Sequence, residues 1–399
     1  MAPGHTLPSH KTVVFFLNLN KIVYICGLPN IWGDALSISK PIQKFYNIFR
    51  HVSNLIFIIF IILEALSYFT QKNLTEKQKS VQAMFVLAHP LLFAYIASVD
   101  IWKNKIERLL HELVVELKRI HNDLHVEASM IRKAKKHCAS FFSMFMITIL
   151  MYGFEAIIDV IREGGTFTTV ITSWPDVEDR SLLAGLARVF FYFLWWLFMV
   201  RVCAMYLEVI STIVVLSHQF KNLQKYFISL NLIFDQDLDQ NGKELKYLES
   251  FKLGIKMHSK TLWCTKECQA AYNLLFGFQI MSVISILAMQ MRQMVANVRT
   301  LENIVAVVSA TAISLSSTGF LMCNAGDVTV EAADIPTAMY MSGWEKCHIH
   351  SISVRQLMII TMVQSQKPVI IRALGKIDFS YSSFVSLIKT SYTVFSVLF

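Results

Sequence analysis

Seven apolar stretches, each about as long as a bilayer is thick, constrain this chain more than any other feature. They run at about Val52–Phe69, Val81–Val99, Ala139–Val160, Leu182–Leu216, Ala271–Met291, Ile304–Cys323 and Pro368–Phe399. A helix crossing the roughly 30 Å hydrocarbon core needs about 20 predominantly apolar residues. With 54% hydrophobic and 16% charged residues, the chain departs from soluble domains, where about a quarter of residues carry charge. The expectation is an all-α polytopic membrane protein with seven transmembrane helices. No internal repeat or Pro/Gly linker divides residues 1–399, so they read as one domain. The fourth and seventh stretches exceed what a bilayer needs and are expected to continue as cytoplasmic helices. The opening "MAPGHTLPSHKTVVFF" lacks the charged start and small-residue cleavage site of a signal peptide, so the first span itself is expected to direct insertion.

Orientation follows from the basic residues. The N-terminal arm and segments 101–137, 218–268 and 325–367 hold 25 lysines and arginines, against 7 in segments 70–80, 161–181 and 292–303. The basic side is the cytoplasmic one, which places the N-terminus inside and, after seven spans, the C-terminus outside. The sequon Asn73-Leu74-Thr75 then lies outside, where Asn73 is a glycosylation candidate. The net charge of +9 suits loops beside an anionic leaflet and requires no nucleic acid. The basic loops are themselves helical in pattern: Leu109, Leu113, Leu117 and Leu124 recur at helical spacing. Leu and Phe stripes within 218–268 and 325–367 are expected to form an anchor bundle that packs against other subunits.

Enzyme signatures are lacking. No phosphate-binding Gly-rich loop, His/Glu zinc constellation or serine nucleophile elbow occurs, and the seven cysteines read as structural thiols. No cofactor or metal is expected. Arg201 and Glu208 share one face of the fourth span and are expected to hold a neighbouring helix. A G-protein-coupled receptor is excluded by the inverted charge bias, by the lack of cysteine in 139–202, and by the lack of Asp-Arg-Tyr and Asn-Pro-x-x-Tyr motifs.

The segments "AMYMSGWEKC" (338–347) and "RQLMIITMVQSQKPVIIRALGKIDFSYSSFVSLIKTSYTVF" (355–395) resemble the C-terminal region of insect odorant receptors. The matching positions are Tyr340 and Trp344, Arg355 to Leu357, Gln366 and Pro368, Ala373 and Gly375, Phe384, and Leu387 to Tyr392. Ser391-Tyr392 without a following Gln-Phe separates the chain from gustatory receptors, and the short 218–268 loop separates it from the co-receptor subunit. The resemblance implies an odorant-tuning subunit in the plasma membrane of an olfactory neuron dendrite. It would pair with the co-receptor in a heterotetrameric, non-selective cation channel whose pore is lined by the last helix. A metabotropic receptor or transporter of inverted topology is the competing class.

Within that frame the odorant is expected among the outer halves of spans two to six. Met84, Phe85, Met151, Tyr152, Phe191, Tyr192 and Trp195 would supply apolar walls, and His89, Gln279, Ser282 and Ser309 the polar anchors. Phe395 and Phe399 lie four apart, on one helical face that continues through Ser391, and are expected to form the pore gate, with Val394 and Leu398 as rivals. Tyr340 and Trp344 are expected at the subunit anchor. Gln366-Lys367-Pro368 is expected to break the helix where the cytoplasmic piece hands over to the last span.

Overall fold

The computed structural model describes residues 10–32, 39–296 and 301–398. Among the described residues eleven α-helices follow in chain order: α1 (Lys11–Ile25), α2 (Lys40–Thr70), α3 (Glu76–Leu110), α4 (Leu117–Ile120), α5 (Leu124–Glu163), α6 (Leu182–Ser229), α7 (Gln240–Ala296), α8 (Leu301–Ala333), α9 (Ile335–Tyr340), α10 (Ser351–Ser365) and α11 (Tyr381–Leu398). A π-helical stretch, His111–Glu116, joins α3 to α4 without a break. The two strands β1 (Arg372–Ala373) and β2 (Ile377–Asp378) form a small hairpin before α11.

Local chemistry sets several helix starts. Thr75 caps α3 in a reciprocal capping box with Gln78, Asp123 accepts from the Val126 amide at the head of α5, and Ser181 does the same for α6 through Ala184. Gly164, at φ 59°, ends α5 in the left-handed conformation that a side chain disfavours. Pro90 sits inside α3, and the helix continues through it.

The long helices run up and down, and α6 is their axis. Every residue from Arg201 to Phe220 is buried, which explains why its apolar residues fall on all sides of the helix and form no single stripe. Polar ties join the helices at one end of the bundle: Lys133 with Asp327, Lys260 with Glu112, and Gln224 with Glu331. At the other end Lys77 pairs with Glu155 and Asp159. Beside it, Gln71 and Arg188 gather the carbonyls of the loop after α5, reaching Thr172, Pro175, Asp176 and Asp179.

Three features differ from the sequence-based expectation. First, among the described residues six helices are long and apolar enough to cross a membrane, and α11 is not one of them. Its 18 residues include Lys389 and seven Ser/Thr hydroxyls, which dilute its hydropathy. Second, the last helix begins at Tyr381 and not at Pro368. Pro368 ends the preceding helical course, and Ala373-Leu374-Gly375-Lys376 then turns the chain back, with Leu374 at φ 50° and Gly375 at φ 69°. The Ala-x-Gly motif thus has a structural cause: Ala373 is fully buried and Gly375 occupies a positive-φ turn position. Third, the fifth span is not separate from the segment before it. α7 is one helix of 57 residues, about 85 Å long at 1.5 Å per residue.

Arg201 does hold neighbours, donating to Gly27 O at 3.1 Å and to Asn54 Oδ1 on α2 at 2.6 Å. Glu208, expected to act with it, is buried with neither carboxylate oxygen hydrogen-bonded.

Candidate ligand-binding site

A cavity of about 90 Å³ opens between α3, α5, α6, α7 and α8, the helices of spans two to six. Its lining follows helical periodicity on each. Phe85, Ala88, His89 and Leu92 come from α3; Phe145, Thr148, Ile149 and Tyr152 from α5; Trp195 and Met199 from α6; Ile286 and Gln290 from α7; and Ala310, Ile313 and Ser314 from α8. Met84 completes the α3 face.

One wall is an aromatic cluster. Phe85 stacks on His89 with ring centroids 4.8 Å apart, Phe85 and Trp195 lie 5.5 Å apart, and Tyr152 meets Trp195 edge-on at 5.7 Å. Such pairs contribute about 0.5–1.5 kcal/mol each beyond burial, so this wall is rigid. Met84 and Met199 are the adaptable elements. Ligand pockets for drug-sized molecules measure about 300–1,000 Å³. The space here suits a molecule of few heavy atoms, and a ring requires the methionines to move.

His89 is not a free anchor. The Trp195 indole N–H donates to its Nε2 at 3.0 Å. Because that indole is a donor only, the ring proton sits on Nδ1, which faces Glu64 at 2.8 Å. Thr148 is likewise occupied, donating to Met144 O and Ser309 O. Gln290 differs. It is buried, its Oε1 accepts from Thr311 at 2.9 Å, and its Nε2 has no partner. An amide with an unmatched donor in an apolar cavity is a ready hydrogen-bond partner for an oxygen-bearing guest.

Of the expected ligand residues, Met84, Phe85, His89, Tyr152 and Trp195 line this space. Met151 is on a different face of α5 from Tyr152. Phe191 packs on Phe60 of α2, and Tyr192 packs on Phe167 and donates to Ile149 O. Gln279 and Ser282 lie deeper and are consumed by a polar network. Gln279 accepts from Tyr206 and Tyr95 and donates to Ser317 and Thr318, while Ser282 meets Tyr95 at 3.1 Å. Ser309 is not among the residues that line the cavity, and its carbonyl accepts from Thr148. Gln290, Thr148 and Met199 were missed, although Phe145, Ile149 and Met199 continue the Tyr152 and Trp195 stripes at helical spacing.

The remaining expected residues sit elsewhere. Ser391 is fully buried and its hydroxyl donates to Leu387 O, so the α11 face that carries Ser391 and Phe395 packs inward, against α7 and α8. Phe399 falls outside the described residues. The opposite face, with Val385, Lys389, Tyr392, Thr393 and Ser396, is exposed. Tyr340 is 58% exposed and lies beside Trp344, ring centroids 6.0 Å apart. Asn73 is exposed and donates to Glu178, and the sequon's Thr75 is the α3 cap.

The sequence family described as 7tm Odorant receptor matches residues 91–392, which take in the C-terminal motifs and the cavity walls from α5 to α8. The chain belongs to the 7tm odorant receptor family. With six helices long and apolar enough to cross a bilayer, this odorant receptor is a multi-pass membrane protein. Its fold is that of a solved insect olfactory receptor, OR5 from Machilis hrabei. The structure of that receptor in complex with eugenol aligns with a TM-score of 0.76 at 14% identity, covering 98% of this chain and 99% of that one. A second structure of the same receptor aligns at 0.77 with 13% identity, covering 97% of each chain. Comparison with curated protein sequences finds no match.

Proposed function

We propose that this odorant receptor is the ligand-binding subunit of an odorant-gated cation channel that assembles with a co-receptor subunit. The observation that carries this reading is the five-helix apolar cavity with one unmatched amide, Gln290, in its wall. Volatile odorants are small and mostly apolar, and most bear one oxygen function. A rigid aromatic wall, two adaptable methionines and one polar group suit that class. The related OR5 structure with eugenol supports a small-odorant ligand.

Coupling to a pore runs through α7 and α8, because both line the cavity and both seat α11. Phe384 and Tyr381 of α11 rest against Gly319 and Gly326 of α8, where a Cβ would come within 3.4 and 3.0 Å of the rings. Small residues at such a contact let helices approach closely and slide. An odorant that spreads α7 from α8 therefore shifts the seat of α11. In this reading α11 is the seventh span, the N-terminus is cytoplasmic, and the C-terminus lies at the outer mouth of the pore. The pore face is the exposed, hydroxyl-bearing side of α11; Lys389 lies on that face, and its long stem carries the ammonium off the axis into a hydrated vestibule. Its hydroxyls fit a wet channel better than lipid. At the basic end, Ile352, Ile359, Ile360 and Val363 leave an apolar row of α10 uncovered, next to Tyr340, which suits packing against another subunit.

The test is whole-cell current in cells lacking G-protein signalling, with and without co-receptor. Odorant-evoked cation current only in the co-expressed cells is expected. A response that needs G-protein signalling refutes the channel reading. Cysteines at 392, 393 and 396 should be blocked by thiol reagents during gating and one at 391 spared; block at 391 alone refutes the assigned pore face.

A further inference from the structure

A second and much larger space lies beside the N-terminal helix. α1 is pinned at both ends: the Thr12 amide and hydroxyl donate to Glu127 at 2.9 and 2.7 Å, and Arg201 donates to the Gly27 carbonyl at 3.1 Å. Beside the line along which α1 packs on α6 and α5 lies a groove of about 790 Å³. The floor is made of short side chains, Cys138, Ala139, Cys203 and Ala204, which cannot fill it. The lips are apolar and uncovered: Val14 is 51%, Ile22 52% and Phe142 47% exposed. Two exposed lysines, Lys11 of α1 and Lys135 of α5, belong to the lining, and neither has an acidic partner among the described residues. Glu127, the nearest carboxylate in sequence to the α1–α5 junction, is taken by Thr12 and Asn122.

We propose that this groove holds one acyl chain of a phospholipid with an anionic head group, the head group seated between Lys11 and Lys135. Length, wall chemistry and charge agree on that occupant. From Lys11 to Cys26 the groove follows 15 residues of helix, about 22 Å, enough for a chain that reaches from the interface to the middle of a roughly 30 Å hydrocarbon core. An apolar trough open on one side to a bilayer is filled by hydrocarbon, because water there would lack hydrogen-bond partners. Paired ammonium groups at its rim favour a negative head group over a zwitterionic one. The site rests on the membrane residence of this receptor. Only the choice of leaflet, the cytoplasmic one, rests on the orientation proposed above.

The test uses the full receptor with its co-receptor in nanodiscs of phosphatidylcholine alone or mixed equally with phosphatidylglycerol. The same lipids face both sides, so the result does not depend on orientation, and it is read without odorant current. Native mass spectrometry of the extracted complex counts retained lipid. Selective retention of phosphatidylglycerol is expected, falling about fivefold with Lys11→Gln or Lys135→Gln, the factor that one basic residue at an anionic surface provides. Lys21→Gln, on an outward face of α1, should change nothing. Ala204→Phe should abolish retention of either lipid. If that variant fails to fold, the native thiols supply the readout: phosphatidylglycerol should slow alkylation of Cys26 and Cys138 by a membrane-permeant maleimide. Equal retention of both lipids, indifference to both lysine variants, or protection of the thiols by odorant and not by lipid overturns the proposal.

Discussion

Replacing Gln290 by Met isolates the polar contribution of the cavity. Met has nearly the same length and volume, so the wall keeps its shape, and Thr311 retains the Val307 carbonyl at 2.8 Å as its acceptor. The amide Nε2 is unmatched in the empty cavity, a state that costs about 1–3 kcal/mol. Removing it leaves the fold no weaker and spares surface expression. An odorant with an oxygen acceptor recovers a net hydrogen bond of about 1–1.5 kcal/mol in the wild type, and 1.4 kcal/mol is a factor of about ten in affinity. Gln290→Met should therefore raise the half-maximal concentration of an oxygenated odorant about tenfold. Its hydrocarbon isostere, with CH₂ in place of oxygen, should be unchanged or slightly more potent. Dose–response currents for such a matched pair, with surface labelling as control, measure the difference directly. If both odorants shift in parallel, or neither shifts at normal surface expression, Gln290 is not the anchor and the assignment of its unmatched donor to ligand recognition fails.

Trp195→Phe removes the indole that occupies His89 Nε2 and leaves a buried acceptor facing the cavity. Odorants bearing a hydroxyl should gain about fivefold in potency over their methyl ethers, and an unchanged ratio counts against the assigned hydrogen bond. At the basic end, burial alone would raise the Glu244 carboxyl, but the backbone N–H groups of His350, His348 and Ile349 outweigh it and hold the group at about 2. A depressed carboxylate stabilises above its ordinary range near 4.5 and loses that contribution as pH falls toward 2. The protection factor of the 348–350 amides, the exchange rate normalised to the intrinsic rate at each pH, should therefore fall across that window in the wild type and stay low and pH-independent in Glu244→Ala, with a loss of at least about 2 kcal/mol in local protection. At the hairpin, a Cβ on Gly277 would lie 2.6 Å from Leu374 Cγ. Gly277→Ala should lower the unfolding temperature of the purified heteromer, with an overpacking cost of about 1–3 kcal/mol, and adding Leu374→Gly should restore it. Failure of the second change to rescue the first would show that the hairpin does not bear on α7.

Much of the molecule is legible in one dimension. Long apolar runs force helices wherever they occur, since only a helix satisfies its own backbone in lipid, and the stretches through Phe57, Phe85, Phe145, Trp195 and Ile280 all became helices. The C-terminal motif residues carry local meaning, as Gly375 at its positive φ illustrates. What composition and spacing leave open is rotation and long-range pairing. Gln279 and Gln290 lie three turns apart on one apolar helix and look alike in sequence. Only the packing of α3, α6 and α8 around them supplies four partners to the first and leaves the second with an empty donor. The same holds for α11, where Ser391 and Phe395 share a face by helical geometry, as expected. Which way that face turns depends on Gly319 and Gly326 of α8, which admit Phe384 and Tyr381, and in this packing Ser391 is buried. Periodicity belongs to a single helix and is written in its sequence; phase and partnership belong to the contacts between helices, and those exist only once the bundle has closed.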